Sequence, residues 1–141
     1  MSPLHLHHEH HAGATVITLA GEIDLASAPA LRQFIADVRQ RPADQLIFDM
    51  ANVSFVDSSG LRVLLDAFAV AQQHGGGVHL TALAGAPARL IETTQLGEHL
   101  RLHTSTAIAL AAILTAPDLP ASGDISTAEI YPEQSPAQSV R

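Results

Sequence analysis

Residues 45–73 read QLIFDMANVSFVDSSGLRVLLDAFAVAQQ. The segment opens with a short apolar run, 45–50, that fits a buried strand, and then passes through a loop, ANVSFVDSS. From there Leu61, Leu64, Leu65 and Phe68 recur at the spacing of an amphipathic helix, placed by the pattern at about 59–73. A strand that leads into a helix is half of a crossover unit. A chain of such units forms a largely parallel sheet with right-handed connections. The paired serines at the junction pose the functional question: Ser59 either only caps the helix or also carries the chemistry.

On the N-terminal side, LHLHHEH and ATVITLAGEID flank the turn-like HAGA and predict a hairpin with strands near 4–10 and 14–20. Leu31, Phe34, Ile35 and Val38 then mark a first helix, with Ser27 as N-cap, Pro29 in the first turn and Pro42 as the stop. On the C-terminal side, HGGG ends the second helix with a left-handed glycine cap. VHLTAL is a strand, APARLIETTQL a short helix with Leu90, Ile91 and Leu96 inward, LRLH a short strand, and STAIALAAIL a last helix capped by Thr104 or Ser105. The order is ββαβαβαβα. It predicts an α/β fold with a mixed, mostly parallel sheet of about five strands, four helices and an antiparallel hairpin at one edge. From residue 116 the text turns rich in Pro, Ser and acidic residues. Such a segment buries too little to offset its ordering entropy, so the expected organisation is a domain over 1–115 and a disordered tail over 116–141.

Composition removes whole classes of chemistry. There is no cysteine, which excludes disulfides and thiolate catalysis. All seven basic residues are arginines, so neither a Schiff-base lysine nor the lysine of a phosphate-binding loop is present. A net charge of −7 with no basic cluster argues against a nucleic-acid partner. No apolar run reaches the roughly 18 residues of a membrane span. The start MSPLHLHHEHH has neither the basic residues nor the apolar core of a secretory signal. The expectation is a soluble protein of the cytoplasm, working without a membrane.

The serines sit where an open α/β sheet gathers its functional groups, at the carboxyl end of a strand beside a helix start. Taken alone, Ser59 reads as an N-cap. A hydrolase elbow would need a glycine where Val56 stands for Ser58, or where Asp57 stands for Ser59. Asp49 at a strand end could be a phosphorylated aspartate, but the lysine such receivers use has no counterpart. Modification of Ser59 by a kinase fits the residue types. The helix end tolerates an anion, and the phosphate would bring almost two negative charges beside Asp57 and Asp24.

GEIDLASAPALRQFI, LIFDMANVSFVDSSGLRVLL and ARLIETTQLGEHLRLHTSTAIAL together resemble a STAS domain of the bacterial anti-sigma factor antagonist type, over about 12–114. The resemblance implies a partner-switching regulator of transcription, as in stress responses. Its unphosphorylated form binds an anti-sigma factor with serine-kinase activity and so frees a sigma factor, and a serine phosphatase resets it. It implies Ser59 as the phosphorylated residue, with Ser58 as the alternative. The family's acidic residue near that site falls by position on Asp24, and the residues around the serine add Asp57, Ser58, Gly60, Leu61 and Arg62 as neighbours or partner contacts. The resemblance further implies no cofactor, no metal, no enzymatic activity, and a monomer or weak dimer. Some STAS domains act without phosphorylation, inside transport or signalling complexes, and that reading stays open. A serine-nucleophile enzyme is the third, with His74 or His79 as base.

Other features have plainer readings. On a strand His8 and His10 share a face while His5, His7 and His11 lie opposite; a solvated edge is the expectation, with Zn, Ni or Cu binding the sharper alternative. The glycines of HGGGVHL precede a strand, the reverse of a dinucleotide loop. Leu61 is either core or an apolar contact for the partner, and periodicity favours the core. Arg62, one turn into the helix, is ordinarily a solvated charge; three residues past Ser59, it is also a candidate partner contact or phosphate ligand.

Overall fold

In the computed structural model, which describes residues 4–115, the chain follows the order expected from its periodicity. It runs β1 (His5–His11), β2 (Ala14–Ile23), α1 (Ala28–Val38), β3 (Gln45–Val56), α2 (Ser58–Gln73), β4 (Val78–Thr81), α3 (Gly85–Thr94), a 3-10 turn (Leu96–Glu98), β5 (Arg101–His103) and α4 (Thr106–Thr115). The sheet order is β1-β2-β3-β4-β5. β1 pairs antiparallel with β2, and every other pairing is parallel. The tail expected over 116–141 lies outside the described residues. Among the described residues no helix is long and apolar enough to cross a membrane.

Sequential strand order explains the layering. Successive right-handed crossovers that step in one direction deposit their helices on one face. Accordingly Leu31 and Ile35 of α1, Leu61 and Leu64 of α2 and Ile91 of α3 share one apolar core with Ile17, Leu19, Leu46, Phe48 and Leu80 of the sheet. Ala109 of α4 covers Ala14, Val16 and Ile47 on the opposite face. The alternation of strand side chains supplies both surfaces.

Four local readings need correction. The strand expected at 45–50 runs on to Val56. β4 stops at Thr81, opposite Asp49, but β2 continues beside β3 through two register shifts to the pair Ile23↔Val56. The polar residues Asn52 and Ser54 face solvent on this two-stranded projection, so they read as a loop. Ser27 occupies the cap position of α1, yet its hydroxyl donates backward to the Glu22 carbonyl (2.9 Å); the Asp24 carboxylate accepts the Ser27 N–H instead (3.0 Å). α1 ends at Val38, where Arg39 turns extended, ahead of Pro42. β4 is shorter than VHLTAL because Ala82 adopts φ +58. Two caps are as expected: Gly75 is left-handed (φ +83) after α2, and the Ser105 hydroxyl accepts the Ile108 N–H.

β1 forms the edge of the sheet, and His5 faces solvent with His7, His8, His10 and His11. His8 lies edge-on to Phe34 at 5.7 Å, on the α1 face. Among the described residues no three metal-binding side chains converge.

On the α4 face a buried polar chain joins three strands. His79, 2% exposed, bonds through Nε2 to Gln45 Oε1 (2.8 Å) and through Nδ1 to His103 Nε2 (3.0 Å). The amide oxygen can only accept, so His79 carries its proton on Nε2 and accepts from His103. Burial, then the neighbouring His103 and Arg101, push the His79 pKa down from 6.5 to about 4. The unfolded chain therefore takes up this proton at a higher pH than the folded one. The stability His79 permits is complete above pH 6.5 and is lost as pH falls from there toward 4. Denaturant titrations across that window should show a flatter pH slope for His79→Leu than for the parent. An identical slope would remove His79 as the cause.

Candidate functional site

The projection of β2 and β3 beyond β4 brings the starts of α1 and α2 to one end of the sheet. Asp57 alone separates β3 from α2. Its N–H bonds to the Ile23 carbonyl at the end of β2 (3.1 Å). Its carboxylate accepts from Ser59 N (2.8 Å) and Gly60 N (3.0 Å) through Oδ1, and from Leu25 N (3.1 Å) through Oδ2. One side chain thus caps α2 and ties it to the β2–α1 loop.

This corrects the reading of Ser59 as the cap. A helix leaves its first N–H groups unpaired, and either Ser or Asp can serve them. The choice follows from where the strand ends. Because β3 stays paired through Val56, Asp57 falls at the cap position, with Ser58 first and Ser59 second in the helix. Asp57→Ala should cost about 1–2 kcal/mol, whereas Asp57→Asn should retain most of the cap. Urea denaturation of both tests this, and a larger loss from Ser59→Ala than from Asp57→Ala would return the cap to Ser59.

Relieved of capping, the Ser59 hydroxyl makes no side-chain hydrogen bond among the described residues. Ser59 is half-buried and Ser58 exposed. Both line an open groove of about 680 Å³ between α1 and α2, together with Leu25, Arg32, Gln33 and Arg62. Leu25, 74% exposed, stands at its edge.

The remaining residues expected around the site divide by location. A Cβ on Gly60 would lie 2.6 Å from Ile23 Cγ2 and 2.8 Å from the Ile23 carbonyl oxygen. The backbone that the glycine admits is therefore the end of this chain's own β2. Leu61 is 9% exposed and packs in the core, as its periodicity indicated, so it has little surface to offer. The Asp24 carboxylate is engaged with Ser27, and Asp24 precedes the Leu25 that bonds to Asp57. Arg62 is exposed and its Nε donates to Asp66 Oδ1 (3.2 Å). The other Asp66 oxygen accepts from Arg32 Nη1 of α1 (2.6 Å). Arg32's hydrogen bond foremost, reinforced by Arg62 and opposed by slight desolvation, holds the Asp66 carboxyl below its usual range.

Sequence reasoning missed Leu25, Arg32 and Asp66. Arg62 and Asp66 form a legible i, i+4 pair on the helix surface. Arg32 has no such local signal, and only the adjacency of α1 and α2 brings it to the groove. His74 sits at the far end of α2 from the serines, and His79 is on the opposite face of the sheet. The residues lining the groove include no histidine.

The family model described as the STAS domain matches residues 5–109. The anti-sigma-B factor antagonist of Bacillus subtilis is 36% identical over 80 residues, which is 57% of this chain and 72% of that protein. The crystal structure of an anti-sigma factor antagonist from Mycobacterium paratuberculosis is 32% identical, with a TM-score of 0.67 over 79% of this chain and 94% of that one. The Bacillus cell fate determinant SpoIIAA, solved in its phosphorylated form, shares the fold at 22% identity, with a TM-score of 0.62 over 77% of this chain and 99% of that one. A five-stranded mixed sheet with four helices, matched by sequence over most of its described length, establishes that this chain belongs to the STAS domain family.

Proposed function

We propose that this protein is an anti-sigma factor antagonist of the cytoplasm, switched by phosphorylation of Ser59. The unphosphorylated form binds an anti-sigma factor that is also a serine kinase, and that binding releases the sigma factor. A serine phosphatase reverses the modification. The observation that carries this reading is the Ser59 hydroxyl itself. It lines an open groove at the second position of α2, free of the capping duty that Asp57 performs. In the transfer, Ser59 Oγ bonds to the γ-phosphorus of kinase-bound ATP, the bond to the β-phosphate oxygen breaks and ADP leaves. The hydroxyl proton passes to a base on the kinase.

The exposed Leu25 beside the groove supplies an apolar contact for the partner, and phosphate on Ser59 sets nearly two negative charges next to it. A docking surface thereby becomes anionic while the helix beneath is unchanged. Titration of the anti-sigma factor encoded in the same genome with unmodified and phosphorylated protein tests the switch. Binding by the unmodified form only is expected. Equal affinities would place the chain instead among STAS subunits that act without phosphorylation. The absence of a histidine from the groove lining, and the commitment of the Asp57 carboxylate to three N–H groups, favour a kinase substrate over a serine-nucleophile enzyme.

A further inference from the structure

We propose that Arg32 and Arg62 form a phosphate receiver, in which both guanidiniums turn from Asp66 to a phosphate on Ser59 and so join α1 to α2 across the groove. This deepens the reading of Ser59 as the modified residue and rests on it. The helix start has two fewer N–H groups to offer the anion. Its Ser59 and Gly60 N–H groups are already taken by the Asp57 carboxylate, which would face the phosphate as a like charge. Side chains supply the remaining compensation, and two guanidiniums line the same groove as Ser59.

Their present arrangement leaves capacity to spare. Arg32 and Arg62 share a single carboxylate, at 2.6 Å and 3.2 Å. Each guanidinium has five N–H donors and gives Asp66 one. The trio therefore carries one net positive charge. A phosphate offers three acceptor oxygens and close to two charges, so it outcompetes one carboxylate for such donors. Arg62 lies at i+3 from Ser59, on the same helix face. Arg32 reaches the groove from the neighbouring helix. The device uses the two arginines without disturbing the core beneath, since both are exposed.

The test installs phosphoserine at position 59 during synthesis, which makes it independent of any kinase. Phosphorus NMR then follows the second ionisation of the phosphate with pH. The parent should ionise below the pKa of about 6 typical of a phosphoserine. Arg32→Gln and Arg62→Gln should each raise that value by roughly half a unit, the scale of an exposed ion pair. Asp66→Asn, which removes the competitor, should lower it further. The opposite sign of this last variant separates charge competition from a general disturbance of the surface. All three shifts should shrink in high salt. A parent value near 6 that neither Arg32→Gln nor Asp66→Asn moves would overturn the receiver while leaving the switch intact. Conversely, a kinase that never modifies Ser59 would sink the switch without altering this titration.

Discussion

Ser59→Ala should take up no phosphate from the kinase, yet melt within a degree or two of the parent and still bind the anti-sigma factor. The stability half of this expectation comes from the cap. Had Ser59 capped α2, alanine would cost about 1 kcal/mol. With Asp57 as the cap, the substitution removes an unbonded hydroxyl from the second position of the helix and leaves the capping bonds in place. The net change should stay within about half a kcal/mol. Ser58→Ala, one position earlier and more exposed, should be phosphorylated like the parent. Phosphopeptide mapping of the three proteins, with affinities measured before and after ATP, decides it. Phosphate on Ser59→Ala at the parental level would overturn the assignment. Since the variant cannot be switched off, it should compete for the anti-sigma factor whether or not ATP is present.

Gly60→Val should produce the largest loss of stability at the site, about 3 kcal/mol, as for the severer cases of overpacking. For a domain of this size that corresponds to a fall in melting temperature of roughly 10–20 °C. The reason is the end of β2. A Cβ on residue 60 would meet the Ile23 side chain and also its carbonyl oxygen. That oxygen accepts the Asp57 N–H, so the strand cannot retreat without breaking the bond that sets the start of α2. Displacement of Asp57 also loosens its bond to Leu25, and phosphorylation of Ser59 should slow along with the loss of stability. Ser58→Val, on the exposed neighbour, is the control and should cost little. A Gly60→Val protein that melts at the parental temperature would show that the contact between Ile23 and Gly60 is not a constraint. The glycine of this segment thus belongs to the fold first, and its effect on the site is indirect.

Much of this architecture was legible because it rests on local periodicity. The stripe Leu31, Phe34, Ile35 and Val38, and the spacing of Leu61 with Leu64, announced two helices whose inward residues are those the core uses. The alternation of strands and helices specified parallel pairing, since a crossover helix leaves the next strand no other direction. The serine pair at a strand-to-helix junction was equally plain. What the sequence could not assign was any feature set by two distant segments meeting. Ser59 and Asp57 are both good caps, and the choice between them depends on β2, more than thirty residues earlier, holding β3 in the sheet through Val56. That the end of β2 packs against Gly60 is invisible locally, because nothing near the glycine in sequence points to Ile23. Arg32 lies on the exposed side of α1 and has no partner within its own helix. It becomes part of the groove because sequential strand order sets α1 beside α2, where Asp66 and Ser59 await it. Side-chain periodicity reports which face of an element is buried, but capping, close approach and charge sharing depend on distances between elements, and only the packed sheet supplies those.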